Sequence, residues 1–434
     1  MNLKRTRIPR SIAVAIVAAT LSGGAASPTL AQQPLLFWST QGTPVQEQQA
    51  IREQVLADFP GRVEFSPQDA GPFMTRVAAE LQAGRGEIAL VGGLHGDFAS
   101  FPDFLIDLSG VDLGAIEVNE AYMQLGKLGT SEQKYLPWMQ ATYLMAANKQ
   151  ALPYLPTGAD INHITYDQLI AWAKNLADNT GGPKFGLPAG PRGLIHRFVQ
   201  GFIYPSYTDS MVTKFRSPEA VAMWEMWEKM KELWAVTNPA STNYGFMQEQ
   251  LLSGEVWVAW DHTARLQDAL TQKPDDFVVF PVPAGPSGRG FMPVVAGLGI
   301  LRTSPDVEGA KTLAVYLMQP QAQIAMLKAI GFYPVVSLDV PADMPAAVEL
   351  SAPVIAAQTT ASDAIPALLP VGLGSEGGKF NKVYTDTFQR ILLANHDITT
   401  VLDEEGTVLR DIMETTKAPC WAPDPASAGP CPVD

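Results

Sequence analysis

Three stretches of this sequence end in side chains suited to holding a polyhydroxylated molecule: Trp38-Ser39-Thr40-Gln41, Ser66-Pro67-Gln68-Asp69 and Gly92-Gly93-Leu94-His95-Gly96-Asp97. Amides, carboxylates and imidazoles make directional hydrogen bonds to hydroxyls, and a flat indole covers apolar C–H faces. Trp38, Gln41, Asp69, His95 and Asp97 are therefore candidate ligand groups. Each competes with a plainer role. Trp38 could pack in a core, Gln41 and Asp69 could serve turns, and Asp97 could cap a following helix. The glycines beside His95 and Asp97 would let a ligand approach the backbone.

Other chemistries find less support. Gly372, Gly374 and Gly377 fit G-x-G-x-x-G, but no strand clearly leads into them. His95, His163, His196, His262 and His396 show no metal-ligand spacing, and no G-x-S-x-G elbow exists. The 44 Asp and Glu residues allow a glycosidase pair to be imagined, yet nothing selects one. No cofactor is expected.

The elements that must position these groups alternate. Leu35 to Trp38 reads as a strand, and Thr43-Pro44-Val45-Gln46 supplies an N-cap with proline at the first helical position. Ile51, Val55 and Phe59 give one buried helical face, stopped by Pro60-Gly61. Arg62 to Phe65 is the second strand. Phe73, Val77 and Leu81 mark a helix that Gly84 ends, and Glu87 to Val91 is the third strand. This β-α-β-α-β order predicts a parallel, doubly wound sheet, which places ligands beyond the carboxyl ends of its strands.

A second set follows Pro137. Ala141 to Ala147 reads as a strand, and Thr165 caps a helix burying Leu169, Trp172 and Leu176. Ser217-Pro218-Glu219 opens a helix carrying Val221, Trp224, Trp227 and Trp234, a stripe that suits a core. Val256 to Trp260 and Phe277 to Val282 are further strands. Val294 to Leu301 with the helix Val307 to Met318 looks like a return to a sheet. From about Gly331 the chain is largely helical.

Lys4, Arg5, Arg7 and Arg10 precede the apolar run Ser11 to Ala26, and Thr29-Leu30-Ala31 offers the small residues a signal peptidase requires. Residues 1–31 are thus expected to be an export signal cleaved near Ala31, leaving a periplasmic chain. No Cys follows the run, so no lipobox is expected. The longest later apolar stretch, Met292 to Leu301, is far short of the roughly 18 residues a spanning helix needs, so no membrane insertion is expected. The 30 Lys and Arg against 44 Asp and Glu give a formal charge of −14, and the signal holds four of those cations. Such acidity argues against nucleic acid as a partner. Cys420 and Cys431 share the Pro-rich tail Ala418 to Asp434; in an oxidising compartment they are expected to form a disulfide stapling that tail.

Several segments resemble the extracellular solute-binding proteins of ABC importers, in the carbohydrate-binding group that includes maltodextrin-binding proteins. Asn148-Lys149 with Ile164-Thr165-Tyr166-Asp167-Gln168-Leu169 is similar to the family's "YNK … TWDEL". Phe215 to Val221 resembles "F-N-S-P-E-A", and Leu252 to Val258 resembles "F-x-x-G-K-A-A-M". Gly297-Leu298-Gly299-Ile300 with Asp306 to Met318 is similar to "GG-x-x-x-A-I … N-x-E-A-A-x-x-F", and Gly331-Phe332-Tyr333-Pro334 to the "G-x-x-P" turn. Ala147 replaces the usual tyrosine, and the tail with two cysteines is not a general family feature.

The resemblance implies an α/β, two-lobed periplasmic-binding-protein fold, each lobe a doubly wound sheet. Residues 32–136 and 281–325 would form one lobe, and 137–280 and 326–434 the other. Crossovers are expected near Pro137, near Pro281 and near residues 320–335. A neutral sugar or sugar derivative would be gripped in the cleft by hinge closure, and the closed monomer would dock on a permease. Trp260-Asp261 falls at a strand end that often contacts ligand, with His262 and Arg265 placed to orient Asp261. Trp138 lies at the first crossover, Arg192 and His196 in a glycine-rich loop, and Phe332 or Tyr333 could stack on a sugar. The alternatives are a polyamine, a metal complex or a phosphorylated polyol on the same scaffold, the last using Arg192, Arg197 and Arg265, or an exported glycoside hydrolase.

Overall fold

The computed structural model describes residues 33–42, 45–118, 120–190, 193–231 and 245–434. The export signal, the Thr43-Pro44 helix start, Arg192 and Trp234 lie outside the described residues. The described strands and helices all belong to one unit, Pro34–Asp434.

Among the described residues the strands are β1 (Leu35–Ser39), β2 (Val63–Pro67), β3 (Ile88–Leu94), β4 (Leu136–Ala141), β5 (Tyr143–Asn148), β6 (Phe185–Gly186), β7 (Val258–His262), β8 (Phe277–Phe280), β9 (Arg289–Phe291), β10 (Val294–Gly299) and β11 (Ala364–Pro366). They form a five-stranded sheet ordered β2-β1-β3-β10-β4, a four-stranded sheet ordered β6-β7-β5-β8, and a β11-β9 pair. β1 lies parallel to β2 and β3, as the alternating pattern predicts. The first sheet is nevertheless mixed rather than wholly parallel. β10 inserts antiparallel between β3 and β4. The chain re-enters this sheet at the carboxyl end of its parallel strands, so β10 has only the reverse direction open to it.

Two strand boundaries differ from the sequence expectation. The run Ala141 to Ala147 is not one strand: Ala141 ends β4, Tyr143 begins β5, and Thr142 passes from one sheet to the other. Both strands are buried on two faces, so an unbroken apolar run conceals the switch. β3 also extends through Gly92-Gly93-Leu94, because β10 pairs with Gly92, Gly93 and Leu94. A Cβ on Gly92 would come within 2.8 Å of the Phe37 ring, which accounts for the glycine inside a strand.

The helices follow their capping signals. Thr165 Oγ1 accepts from Gln168 N and Gln168 Oε1 from Thr165 N, closing a capping box on the helix Tyr166–Thr180. Ser217 Oγ accepts from Ala220 N, with Pro218 at the first position of the helix Pro218–Met230. Trp172, Trp224 and Trp227 are core residues. The first helix, Val45–Ala50, passes into a π turn at Ile51–Val55 and stops there. Phe59 therefore lies in the following turn, edge-on to Tyr316 at 5.2 Å. No helix among the described residues is long and apolar enough to cross a membrane.

Cys420 and Cys431 are bonded, with Cα atoms 4.6 Å apart. The stapled tail is docked on the body of the protein. Trp421 packs edge-on to Phe380 at 5.5 Å, and buried Asp424 receives the backbone N–H groups of Met211, Val212 and Thr213.

Candidate functional site

The route of the chain through residues 141–143 determines where the site lies. β4 runs parallel to β3, so Ala141 sits at the end where the polar carboxyl termini of β1 and β3 emerge. Two residues later β5 begins at Tyr143, which pairs with His262, the last residue of β7. The carboxyl ends of β1, β3 and β7 are thus brought to one junction. Thr142 pins a second connection there by donating Oγ1–H to Met292 O at 3.1 Å. A third passage of chain joins through the bridge Gln140–Tyr333, with Gln140 Nε2 donating to Pro334 O at 2.9 Å.

On the first-sheet side, Asp97 lies one turn into the short helix His95–Phe98. Its Oδ2 accepts from Leu94 N and Thr40 Oγ1, both at 2.8 Å. Gln41 Nε2 donates to Thr40 Oγ1 at 3.0 Å, extending the chain of polar groups. Burial raises the Asp97 carboxyl above its ordinary range, opposed by the two hydrogen bonds and by the Arg197 guanidinium. Glu47, from the first helix, is pushed up to about 7 by burial against the opposing pull of Arg265. Both acids nonetheless keep some accessible surface, as groups lining a narrow groove would.

The second-sheet side is aromatic and basic. Tyr143 stacks parallel on Trp260 at 4.7 Å and meets His262 edge-on at 5.0 Å. Phe198 and Phe202 press edge-on against Trp260 at 5.0 and 5.2 Å, laying the helical run from Ile195 onto β5 and β7. That contact presents His196 and Arg197 at the junction, each half-buried. Arg197 Nη1 donates to Gln200 Oε1 at 3.2 Å, and Gln200 Nε2 donates to Asn381 Oδ1 at 3.0 Å. Arg265, in the helix after β7, lies 4.4 Å over the Phe246 ring and donates to Gly245 O at 3.0 Å. Burial, followed by the charges of Arg197 and Arg265, holds His196 well below the usual imidazole range. The same two cations, opposing burial, act on the Tyr143 phenol, which is pushed up to about 12. Arg197 and Arg265 thus both act electrostatically on His196 and Tyr143, from different elements.

The expected site residues divide between this junction and the cores. Gln41 and Asp97 line the junction. Asp97 caps through its side chain to Leu94 N from the third helical position, not as an N-cap residue. Trp38, proposed as a cleft aromatic, is buried among Phe73 and Phe101 and donates its indole N–H to Phe73 O. Trp138 is fully buried, 5.2 Å from Phe37, and among the described residues its indole N–H has no hydrogen-bond partner. Asp69 is exposed ahead of the helix Ala70–Ala83. His95 is buried, with Nδ1 2.8 Å from the Tyr135 hydroxyl, and burial lowers it to about 4, leaving it neutral.

Trp260 turns into the aromatic core, whereas Asp261 beside it is a buried bracket. Its Oδ2 accepts from Met247 N at 2.9 Å and its Oδ1 from His262 N at 2.7 Å; burial raises it to about 7. Phe332 packs 5.8 Å from His262 at the rim of the junction, while Tyr333 spends its backbone on Gln140. Arg192 lies outside the described residues. Sequence reasoning passed over Glu47 and Tyr143 and gave Arg197 only a secondary role. The signal for Tyr143 was its place as the first aromatic after β4, hidden inside an apolar run. Among the described residues no group of three or more His, Cys, Asp or Glu could hold a metal ion.

A family model described as "Bacterial extracellular solute-binding protein" matches residues 19–324. Comparison with curated protein sequences finds no match. Solved structures supply the fold. The chain is similar to maltose-bound MalE3 of T. maritima, at 18% identity over 87% of this chain and 99% of that one, with a TM-score of 0.67. It is similar to the GacH receptor of Streptomyces glaucescens GLA.O, solved unliganded and with acarbose, at 16% identity, 88% and 99% coverage and a TM-score of 0.69. UgpB from Mycobacterium tuberculosis, in complex with glycerophosphocholine, gives 18% identity, 88% and 99% coverage and a TM-score of 0.65. The α/β architecture is accordingly the two-lobed one of periplasmic binding proteins, with one large sheet in each lobe.

Proposed function

Because the chain belongs to the bacterial extracellular solute-binding proteins, we propose that it captures a sugar or sugar derivative between its lobes and delivers it to an ABC-type importer. The observation that carries this reading is the junction at residues 141–143, where polar groups from the carboxyl ends of β1, β3 and β7 meet. Gln41, Glu47 and Asp97 would accept hydroxyl protons from one wall; Arg197 and Arg265 would donate from the other, with Phe332 at the rim. Maltose and acarbose in two of the similar structures favour a carbohydrate, and glycerophosphocholine in a third favours a polyol ester as the second reading.

The lobes would be the chain around the first sheet, residues 34–141 with 294–332, and the chain around the second, residues 143–291 with 336–434. Residues 140–143, 291–294 and 333–335 would act together as the hinge, since three crossings side by side bend without shearing apart. The protein would work as an exported periplasmic monomer that releases its solute unchanged to the permease, with no cofactor and no turnover. Isothermal titration against mono- and disaccharides, polyols and their esters, with small-angle scattering of the same samples, tests the proposal. Saturable binding with a smaller radius of gyration supports it. Silence across the panel refutes the sugar assignment, and product formation from aryl glycosides would replace transport by hydrolysis.

A further inference from the structure

Resting on that reading and its two lobes, we propose that the loop of residues 368–372 is a stop on lobe closure: its tip, Pro370, meets Gly96 across the cleft, and the disulfide-stapled tail holds it there. Gly96 belongs to the first-sheet side, between His95 and Asp97 in the short helix after β3. Pro370 belongs to the second-sheet side. A Cβ on Gly96 would lie 2.7 Å from Pro370 O, nearer than side-chain carbons come to a backbone oxygen. The two backbones therefore touch, and only a glycine permits it.

The contact sits close to the hinge on both sides. Leu94, just before the helix that holds Gly96, pairs with Ala296 of β10, which leads out of the crossing at 291–294. Ala367, just before the loop, donates its N–H to Phe291 O at 2.8 Å. Both arms leave that crossing, and Gly96 lies at the end where Asp97 lines the junction, so bringing the lobes together presses Gly96 onto Pro370. A stop near an axis governs angle strongly. Relief of about 0.5 Å at the end of an arm of about 10 Å, roughly three residues at about 3.3 Å each, holds the lobes about 3° further apart.

A stop must not yield, and the tail supplies the stiffness. Leu368 N donates to Ala422 O at 2.9 Å, inside the loop closed by Cys420 and Cys431. Gly372, at φ +77°, lies against Ala418, with 3.3 Å between that residue's Cβ and one built on the glycine. Ala418 O in turn accepts from Cys431 N at 2.8 Å. The loop is thus tied at both ends to the stapled tail, and the tail to the body through Asp424 and Trp421. The tail acquires a part in binding that bracing a terminus alone would not give it.

The test is titration of the full mature chain with maltose and, for the polyol-ester reading, with glycerophosphocholine, beside crystal structures of parent and variant with and without the probe. Gly96→Ala should weaken the bound probe about 5-fold or more and leave the lobes about 3° wider. In the chain carrying Cys420→Ser and Cys431→Ser, the same substitution should cost under about 2-fold, because the freed loop gives way. A tail that only stabilised the fold would lower the melting temperature without changing what Gly96→Ala costs. Thermal melting confirms that each variant folds; Pro370→Gly, which loosens the tip with the bridge intact, replaces the serine chain if that chain does not fold, and should relieve the cost in the same way. Unchanged affinity and lobe angle in Gly96→Ala, or an equal cost with and without the bridge, overturns the stop and leaves the capture reading standing. If the parent protein binds neither probe, the capture reading falls by itself, and the stop stands or falls on the lobe angle of unliganded Gly96→Ala.

Discussion

Replacing Asp424 with alanine should cost about 3–5 kcal/mol, although the residue lies far along the chain from any ligand group. The residue is 4% exposed and lies inside the disulfide-closed loop. Oδ2 accepts from Met211 N at 2.8 Å and Val212 N at 2.9 Å; Oδ1 accepts from Thr213 N at 2.8 Å, Thr213 Oγ1 at 2.6 Å and Ser210 Oγ. Alanine would strand three backbone N–H groups, each worth about 1–3 kcal/mol when left buried without an acceptor. The upper sum overshoots, because a freed loop admits water, and single substitutions rarely exceed about 5 kcal/mol. Asp424→Asn keeps one acceptor oxygen and should lose roughly half as much. Equilibrium urea unfolding followed by tryptophan fluorescence measures both variants. The reasoning also requires coupling: with Cys420 and Cys431 changed to serine, the same Asp424→Ala substitution should cost visibly less, because the free loop no longer holds the carboxylate in place. A loss under about 1 kcal/mol for Asp424→Ala in the bridged protein refutes the account, since even one orphaned buried N–H exceeds that.

Other outcomes follow from the same geometry. Removing the disulfide, which spans a sequence separation of 11, should cost about 3 kcal/mol by loop entropy, and urea midpoints with and without reductant measure it. His95 is held at about 4 by burial, below its unfolded value. The unfolded chain therefore takes up the proton first, and stability falls as pH drops from about 6.5 towards 4; His95→Gln should flatten that limb by about 3 kcal/mol, visible in melts across pH. A Cβ on Gly193 would sit 1.9 Å from Pro188 O, so Gly193→Ala must displace the start of the helix carrying Arg197. That variant should bind its solute at least about 10-fold more weakly in titration and lose about 1–3 kcal/mol of stability to the backbone clash, read from urea unfolding.

The first wound sheet was legible because each of its elements carries a local signature. The apolar run Leu35 to Trp38, the spacing Phe73-Val77-Leu81 and the glycine stop at Gly84 need no distant partner to be read. Capping at Thr165 and Ser217 was legible for the same reason. The junction was not. Tyr143 and Thr142 look like any other residues of a long apolar run, and only the pairing partners of β4 and β5 reveal that the chain changes sheets between them. Trp38 and Trp138 illustrate the complementary error. Aromatic type fits a sugar platform, but side-chain direction along a strand alternates, and both indoles point into a core.

Arg197 shows why site residues resist such reading more than folds do. Its own sequence neighbourhood, Ile195-His196-Arg197-Phe198, is unremarkable, and a surface role is the default for an arginine there. What places it at the junction is the neighbouring residue: Phe198 locks edge-on against Trp260, and Trp260 stacks on Tyr143, the first residue beyond the sheet switch. A tryptophan buried in the core would thus set the direction of the guanidinium proposed to meet the solute. On that logic the aromatic cluster is the frame of the site, and substitutions in it should shift ligand preference through Arg197 before they abolish folding.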